Sequence, residues 1–149
     1  MMNSPHPFIS FIRKFWISIT ICILILVLCF MSTESLPKTT ITNMDKYVHF
    51  LMFLGLSGAV FFDNTRYLRQ AVGWQRIFWG SFLFPALMGG LIEIVQLFLS
   101  YRSGDWWDFF WDGVGAMTGF WIGWLINRWI KSHINKTVPK VNRTFETVS

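Results

Sequence analysis

The sequence predicts an all-α membrane protein: a bundle of four transmembrane helices with both termini in the cytoplasm. Three observations lead there. Apolar residues make up 53% of the 149 and charged residues 14%, against about 25% charged in an average soluble domain. A soluble core of this size cannot hide so much apolar surface. The apolar residues are gathered in four runs, and the basic residues outside those runs alternate in sign-rich and sign-poor connections.

The first run, 15–31, carries no charge. Arg13 and Lys14 precede it, as they would a signal peptide. Its apolar stretch exceeds a usual h-region and no small-residue cleavage site follows, so it is expected as an uncleaved anchor helix. The second run, 47–62, is short and leans on a polar start at Asp45. The third is 77–99 and the fourth about 106–126. Roughly 20 residues cross the hydrocarbon, and about 17 suffice. The chain divides into an N-terminal arm (1–14), the anchor helix (15–31), a core with three helices (45–130) and a basic tail (131–149). Residues 1–12 and 133–149 lack periodic pattern and are expected as loose ends. Residues 32–43, with Pro37, read as an external loop.

Arg13, Lys14, Arg66, Arg69, Arg76, Arg128, Lys131, Lys136, Lys140 and Arg143 fall on one side of an even-numbered bundle. Only Lys38, Lys46 and Arg102 fall on the other. Excess Lys and Arg marks the cytoplasmic side. This distribution accounts for the net charge of +5 without nucleic acid, and the tail lacks the aromatic interleaving of a nucleic-acid binder. Tryptophans sit near both sets of run ends, Trp16, Trp74, Trp79, Trp124 and Trp129 at one and Trp106, Trp107 and Trp111 at the other, as interfacial belts do. Cys22 and Cys29 lie seven residues apart in one run, about 10 Å along a helix. That is too far for a disulfide, and no zinc-type spacing exists.

Polar groups inside a membrane are costly and each needs a reason. Asp45, Lys46 and His49 open the second helix, Glu93 and Gln96 end the third with Arg102 just beyond, and Asp105, Asp108 and Asp112 open the fourth. His49 lies about 6 Å below Asp45, Glu93 about 9 Å below Leu99 and Asp112 about 10 Å below Asp105. Three helices thus place ionisable groups in one layer under the extracytoplasmic face. Residues three, four and seven apart share a helix side. Glu93, Gln96 and Gly89 share one, and so do Asp108 and Asp112 with Gly115, Gly119 and Gly123. Such a glycine stripe lets membrane helices approach closely, so the acids point into the bundle. Pro85, Gly89 and Gly90 make the third helix bendable. The polar layer stops about halfway down, and the cytoplasmic halves read as nearly free of polar residues.

Plainer roles are open to several of these groups. Asp45 and Asp105 suit helix caps, Lys46 and Arg102 suit snorkelling interface charges, and Glu93 suits a salt bridge with Arg102 or Lys46. His49, Glu93 and Asp112 are the candidates for catalysis, because a buried carboxylate must be paired, bound to a cation or protonated. Asp45, Lys46, Gln96, Arg102 and Asp108 are the candidates for ligand binding. Histidine and carboxylates are metal-ligand types, but no spacing motif supports a metal site and no cofactor is expected.

Asp45-Lys46-x-x-His49-Phe50-x-x-Phe53 resembles the opening motif of the VanZ-like membrane family. Glu93-x-x-Gln96, then Arg102, then Asp108 with Gly115 and Gly119, resembles that family's second block. The resemblance covers roughly 45–123. It departs at Asp112, where the family usually shows asparagine, and this puts in doubt any role that needs a neutral amide there. It implies a small multi-pass protein of the bacterial inner membrane, in a family named for a glycopeptide-resistance factor linked to teicoplanin; no biochemical activity is implied.

Three functions compete. The layer could bind an envelope ligand, a lipid headgroup or lipid-linked cell-wall precursor, with Lys46, Arg102 and His49 on phosphate and the acids on sugar or amine groups. It could be an enzyme, with His49 as general acid or base beside Glu93 or Asp112. It could serve proton- or ion-coupled transport, for which a path past the halfway point needs a homo-oligomer or a large rearrangement.

Overall fold

A computed structural model describes residues 6–31, 44–66, 72–100 and 104–137. The loop expected at 32–43, Arg69, Arg102 and the tail beyond 137 lie outside the described residues. Every element among them is helical: α1 (Pro7–Phe30), α2 (Met44–Thr65), α3 (Trp74–Gln96) and α4 (Trp106–Thr137).

By length and composition α1, α2 and α3 qualify to cross a membrane. α4 is the longest at 32 residues but is not among those three. Its two aspartates, glycines and tryptophans dilute its hydropathy.

α1 begins at Pro7, inside the segment expected as a loose arm. Proline suits a first helical position, and Phe8, Ile9, Phe11 and Ile12 extend the apolar pattern. The helix kinks at Phe15, where φ is −110° and ψ 22°. A kink there breaks the bond that would run from the Ser18 N–H to the Lys14 carbonyl, and both orphaned groups find partners at the end of α2 and just past it. The Ser18 N–H and hydroxyl donate to Asp63 Oδ2 at 2.9 and 2.7 Å. Arg66 Nη2 donates to the Arg13 carbonyl at 2.9 Å and to the Lys14 carbonyl, and stands 3.3 Å from Asp63 Oδ1. This clamp overturns the expectation that the basic end is nearly free of polar residues. Asp63 is fully buried, and Asn64, Ser81 and Asn127 are buried with it.

α3 is not uniform. Residues Phe78–Leu83 form a π-helical segment directly before Pro85. Proline has no N–H for the carbonyl four residues back, which is that of Ser81. The Ser57 hydroxyl of α2 points at this freed carbonyl and lies 3.2 Å from the Ala116 carbonyl of α4. Where the sequence suggests a bendable stretch around Pro85, the helix has a π-helical segment tied to α2 by the Ser57 hydrogen bond.

α2 is the central helix and packs most extensively on α4. The glycine stripe makes that contact. A Cβ on Gly119 would stand 2.5 Å from the Ser57 side chain, and one on Gly123 2.8 Å from Phe61. α1 rests on another face of α2, where Ile25 and Cys29 join Phe53, Leu56, Val60 and Ile92 in one apolar core. Phe61, Val72, Ile77 and Phe120 form a second core toward the basic end. Gln96 Nε2 donates to the Cys29 carbonyl at 2.9 Å, tying α3 to α1. Asn127 exchanges two bonds of 2.8 Å with the Val72 backbone, tying α4 to the start of α3. Consecutive helices therefore run antiparallel and α2 lies parallel to α4, with Arg13, Arg66 and Asn127 at one end and His49 and Gln96 at the other.

Gly119→Val in purified protein is expected to lower stability by about 1–3 kcal/mol through overpacking. Gly113→Ala, with nothing within 4 Å of its added Cβ, is expected to be tolerated. Thermal unfolding in detergent reads both, and equal tolerance of the two would contradict this packing.

Candidate functional site

The polar end is assembled from the first turns of α2 and α4 and the last turns of α3. Spacing on α2 puts Asp45, Lys46 and His49 on adjoining parts of one face. On α4, Asp108 and Asp112 continue the glycine stripe and so face α2. Glu93 lies on the buried face of α3 with Gly89, Ile92 and Gln96.

The central contact joins α2 to α4: His49 Nδ1 lies 2.9 Å from Asp112 Oδ1. A carboxylate accepts only, so Nδ1 carries the proton in this contact. The other ring nitrogen, Nε2, lies 3.8 Å from Asp108 Oδ2. Above them Lys46 Nζ is shared among Asp45 at 3.2 Å, Asp105 at 3.4 Å and Asp108 at 3.4 Å. Lys46 is thus a counter-ion to three acids, more than the lone snorkelling charge the sequence suggests.

Glu93 bonds backbone where a cation was expected. Its Oε2 accepts the Asp105 N–H at 2.9 Å. Asp105 in turn accepts the Trp107 N–H at 2.9 Å on Oδ1, the helix cap the sequence allows for. Gly104 permits this junction: a Cβ there would stand 2.9 Å from the Glu93 carbonyl. Gly89 does the same for Asp112, whose Oδ2 would be 2.8 Å from a Cβ at that position.

Side-chain exposure falls steadily from mouth to floor. It is 56% for Asp45, 42% for Asp105, 20% for Lys46, 14% for Asp108, 8% for His49 and zero for Asp112. Glu93 is 2% exposed. Two oxygens on the floor, Glu93 Oε1 and Asp112 Oδ2, have no hydrogen-bond partner among the described residues. One donor atom from each of His49, Glu93 and Asp112 lies within 4.8 Å of the others, a donor set of the kind that holds divalent metals.

The three residues proposed for catalysis therefore converge, joined by Asp45, Lys46 and Asp108. Gln96 does not join them, since its amide holds the end of α1. Arg102 lies outside the described residues. Chemically, a histidine oriented by a buried acid is suited to moving protons, and the surplus of carboxylates over cations suits ligands that donate hydrogen bonds or carry positive charge. A cavity of about 400 Å³ lies at the other end, among Phe15, Cys22, Trp79 and Phe84, with Arg76 on its wall.

Sequence reasoning missed the Ser18–Asp63–Arg66 clamp. The signal was present in Asp63, an acid at the close of an apolar run, but its serine partner 45 residues earlier carries no mark of its own.

Comparison with known proteins agrees with the motif reading. No curated protein and no solved structure matches the chain. The family model described as VanZ/LLP1 matches residues 6–127, which takes in α1, α2, α3 and every described residue of the polar layer. The chain therefore belongs to the VanZ/LLP1 family.

Proposed function

We propose that this is a four-span protein of the bacterial inner membrane, with both termini cytoplasmic, whose outer polar layer binds the headgroup of an envelope lipid or lipid-linked cell-wall precursor. One observation carries the reading. Ionisable groups from three helices form a graded funnel, from exposed acids at the rim to a dry histidine and two carboxylates at the floor. An exposed acidic rim over a buried floor suits part of a molecule whose remainder stays in the bilayer.

The charge balance selects the chemistry. Lys46 is already shared by three carboxylates, so little cationic capacity is left for phosphate among the described residues. The acids favour amine and hydroxyl groups of the headgroup. Occupying a precursor in this way would limit the access of a glycopeptide to its target.

Topology follows from the same bundle. The 32 residues of α4 extend about 48 Å at 1.5 Å per residue, enough to cross beside α2. The antiparallel order puts Arg13, Arg66, Arg76, Arg128 and Lys131 at one end, which the positive-inside rule makes cytoplasmic.

The 2.9 Å contact of His49 with Asp112 favours a second reading, acid–base chemistry on the bound headgroup. An acid that orients a histidine and stabilises its charged form is the arrangement of a general base.

Native mass spectrometry of protein purified with its membrane lipids tests the proposal. Wild type is expected to retain a headgroup-bearing lipid. Asp112→Asn is expected to weaken retention about 10–100-fold, the equivalent of a charged hydrogen bond worth about 1.5–3 kcal/mol. Conversion of that lipid during incubation, lost in His49→Ala, would select the enzyme. Failure of the wild type to retain any headgroup-bearing lipid, or equal retention by Asp112→Asn and wild type, would end both readings. A reporter inserted at 67–71 is expected on the cytoplasmic side, and an external signal would overturn the topology.

A further inference from the structure

We infer that the floor of the funnel is a binding site for one divalent transition-metal ion, held by His49, Glu93 and Asp112. This goes beyond headgroup binding and stands whether or not a lipid occupies the mouth.

Three independent features converge. The first is the donor set: one ring nitrogen and two carboxylate oxygens, from α2, α3 and α4, lie within 4.8 Å of one another. Ligands about 2.0–2.2 Å from a zinc ion are separated by at most about 4.4 Å, so closure needs only small side-chain rotations.

The second feature is unmet bonding capacity. Glu93 Oε1 and Asp112 Oδ2 are buried without a hydrogen-bond partner among the described residues, on residues 2% and 0% exposed. Each carboxylate already uses its other oxygen, Glu93 for the Asp105 N–H and Asp112 for His49. Those bonds hold one end of each carboxylate and leave the second oxygen buried and free to take a ligand. A dry, unpartnered carboxylate oxygen is costly unless a cation or a proton meets it. A doubly charged ion answers both at once.

The third feature is size. The floor is tight: Asp112 Oδ2 sits 2.8 Å from where a Cβ on Gly89 would lie. An alkylammonium group would need more room than a bare ion. The surrounding acids add to the attraction for a cation, because Asp108 lies next to His49 at 3.8 Å. Histidine with two carboxylates suits ions of the zinc and manganese class, with remaining positions left to water or to a ligand entering from the mouth.

The sequence conceals this site because its three ligands come from three helices, at positions 49, 93 and 112. No short spacing motif can report such a set.

Full-length protein carrying no polyhistidine tag, stripped with chelator and held in detergent, is titrated with zinc and separately with manganese. Calorimetry and elemental analysis read the binding. One of the two ions is expected to bind at one per chain. Glu93→Gln and Asp112→Asn, which keep shape and hydrogen bonding, are each expected to weaken it by more than the roughly 10–100-fold that loss of an outer-shell partner costs. Asp105→Asn, at the rim and still able to cap α4, is expected to weaken binding far less than either. Circular dichroism confirms that each variant remains helical; His49→Ala is added where it folds. No stoichiometric ion in the wild type would overturn the inference. An equal loss in Asp105→Asn would also overturn it, since that marks diffuse attraction to an acidic rim. The titration contains no envelope lipid, so its failure and the failure of headgroup retention are separate results.

Discussion

The close approach of α2 and α4 governs the rest of this structure. Gly115, Gly119 and Gly123 remove the side chains that would hold the two helices apart. Small residues at such positions let membrane helices pack on their backbones. One consequence lies seven residues before Gly119 and Gly115, on the same side of the helix: Asp112 and Asp108 face α2 at its polar end. His49 meets Asp112 at 2.9 Å because the backbones are that near. Gly89 repeats the device on α3 and brings the Glu93 face against the same aspartate. A packing rule and a polar site are here one feature.

Burial of polar groups follows a common pattern along the bundle. Wherever the backbone departs from a regular helix, a side chain from a neighbour meets the groups set free. The kink at Phe15 is answered by Asp63 and Arg66. The carbonyl left by Pro85 is answered by Ser57. The ends of α1 and the start of α3 are held by Gln96 and Asn127. An unsatisfied backbone group in an apolar setting costs several kcal/mol, so each of these bonds fixes a helix in place. Among the described residues Glu93 Oε1 and Asp112 Oδ2 are buried without a hydrogen-bond partner, as Asp63 Oδ1 and Ser81 Oγ are elsewhere in the bundle. The floor differs in that its two carboxylates stand with His49 in one set of metal-type donors.

Much of this was legible in sequence. Four apolar runs correspond to four helices, and the facing of Asp108, Asp112 and the glycines was readable from their spacing alone. The shared depth of His49, Glu93 and Asp112 was readable from helical rise. What was hidden depends on tertiary contact. Asp63 looks like a boundary residue until Ser18 is placed beside it. Gln96 shares a helix side with Glu93, yet one turn along α3 carries its amide to α1. Lys46 gives no sign of which acids it serves, because three lie within reach. The helical start of α1 at Pro7 was obscured by Arg13 and Lys14, charges that a kink at Phe15 accommodates at the basic end.

A double-mutant cycle between His49 and Asp112 tests the core of this account most directly. Stability of wild type, His49→Ala, Asp112→Ala and the double variant is measured by unfolding in detergent with chelator present. Residues in direct contact are expected to show a coupling energy of about 0.5–3 kcal/mol, with the double variant less damaged than the two single losses combined. Strict additivity would mean that the two side chains do not meet, and the funnel built on their contact would fall with it.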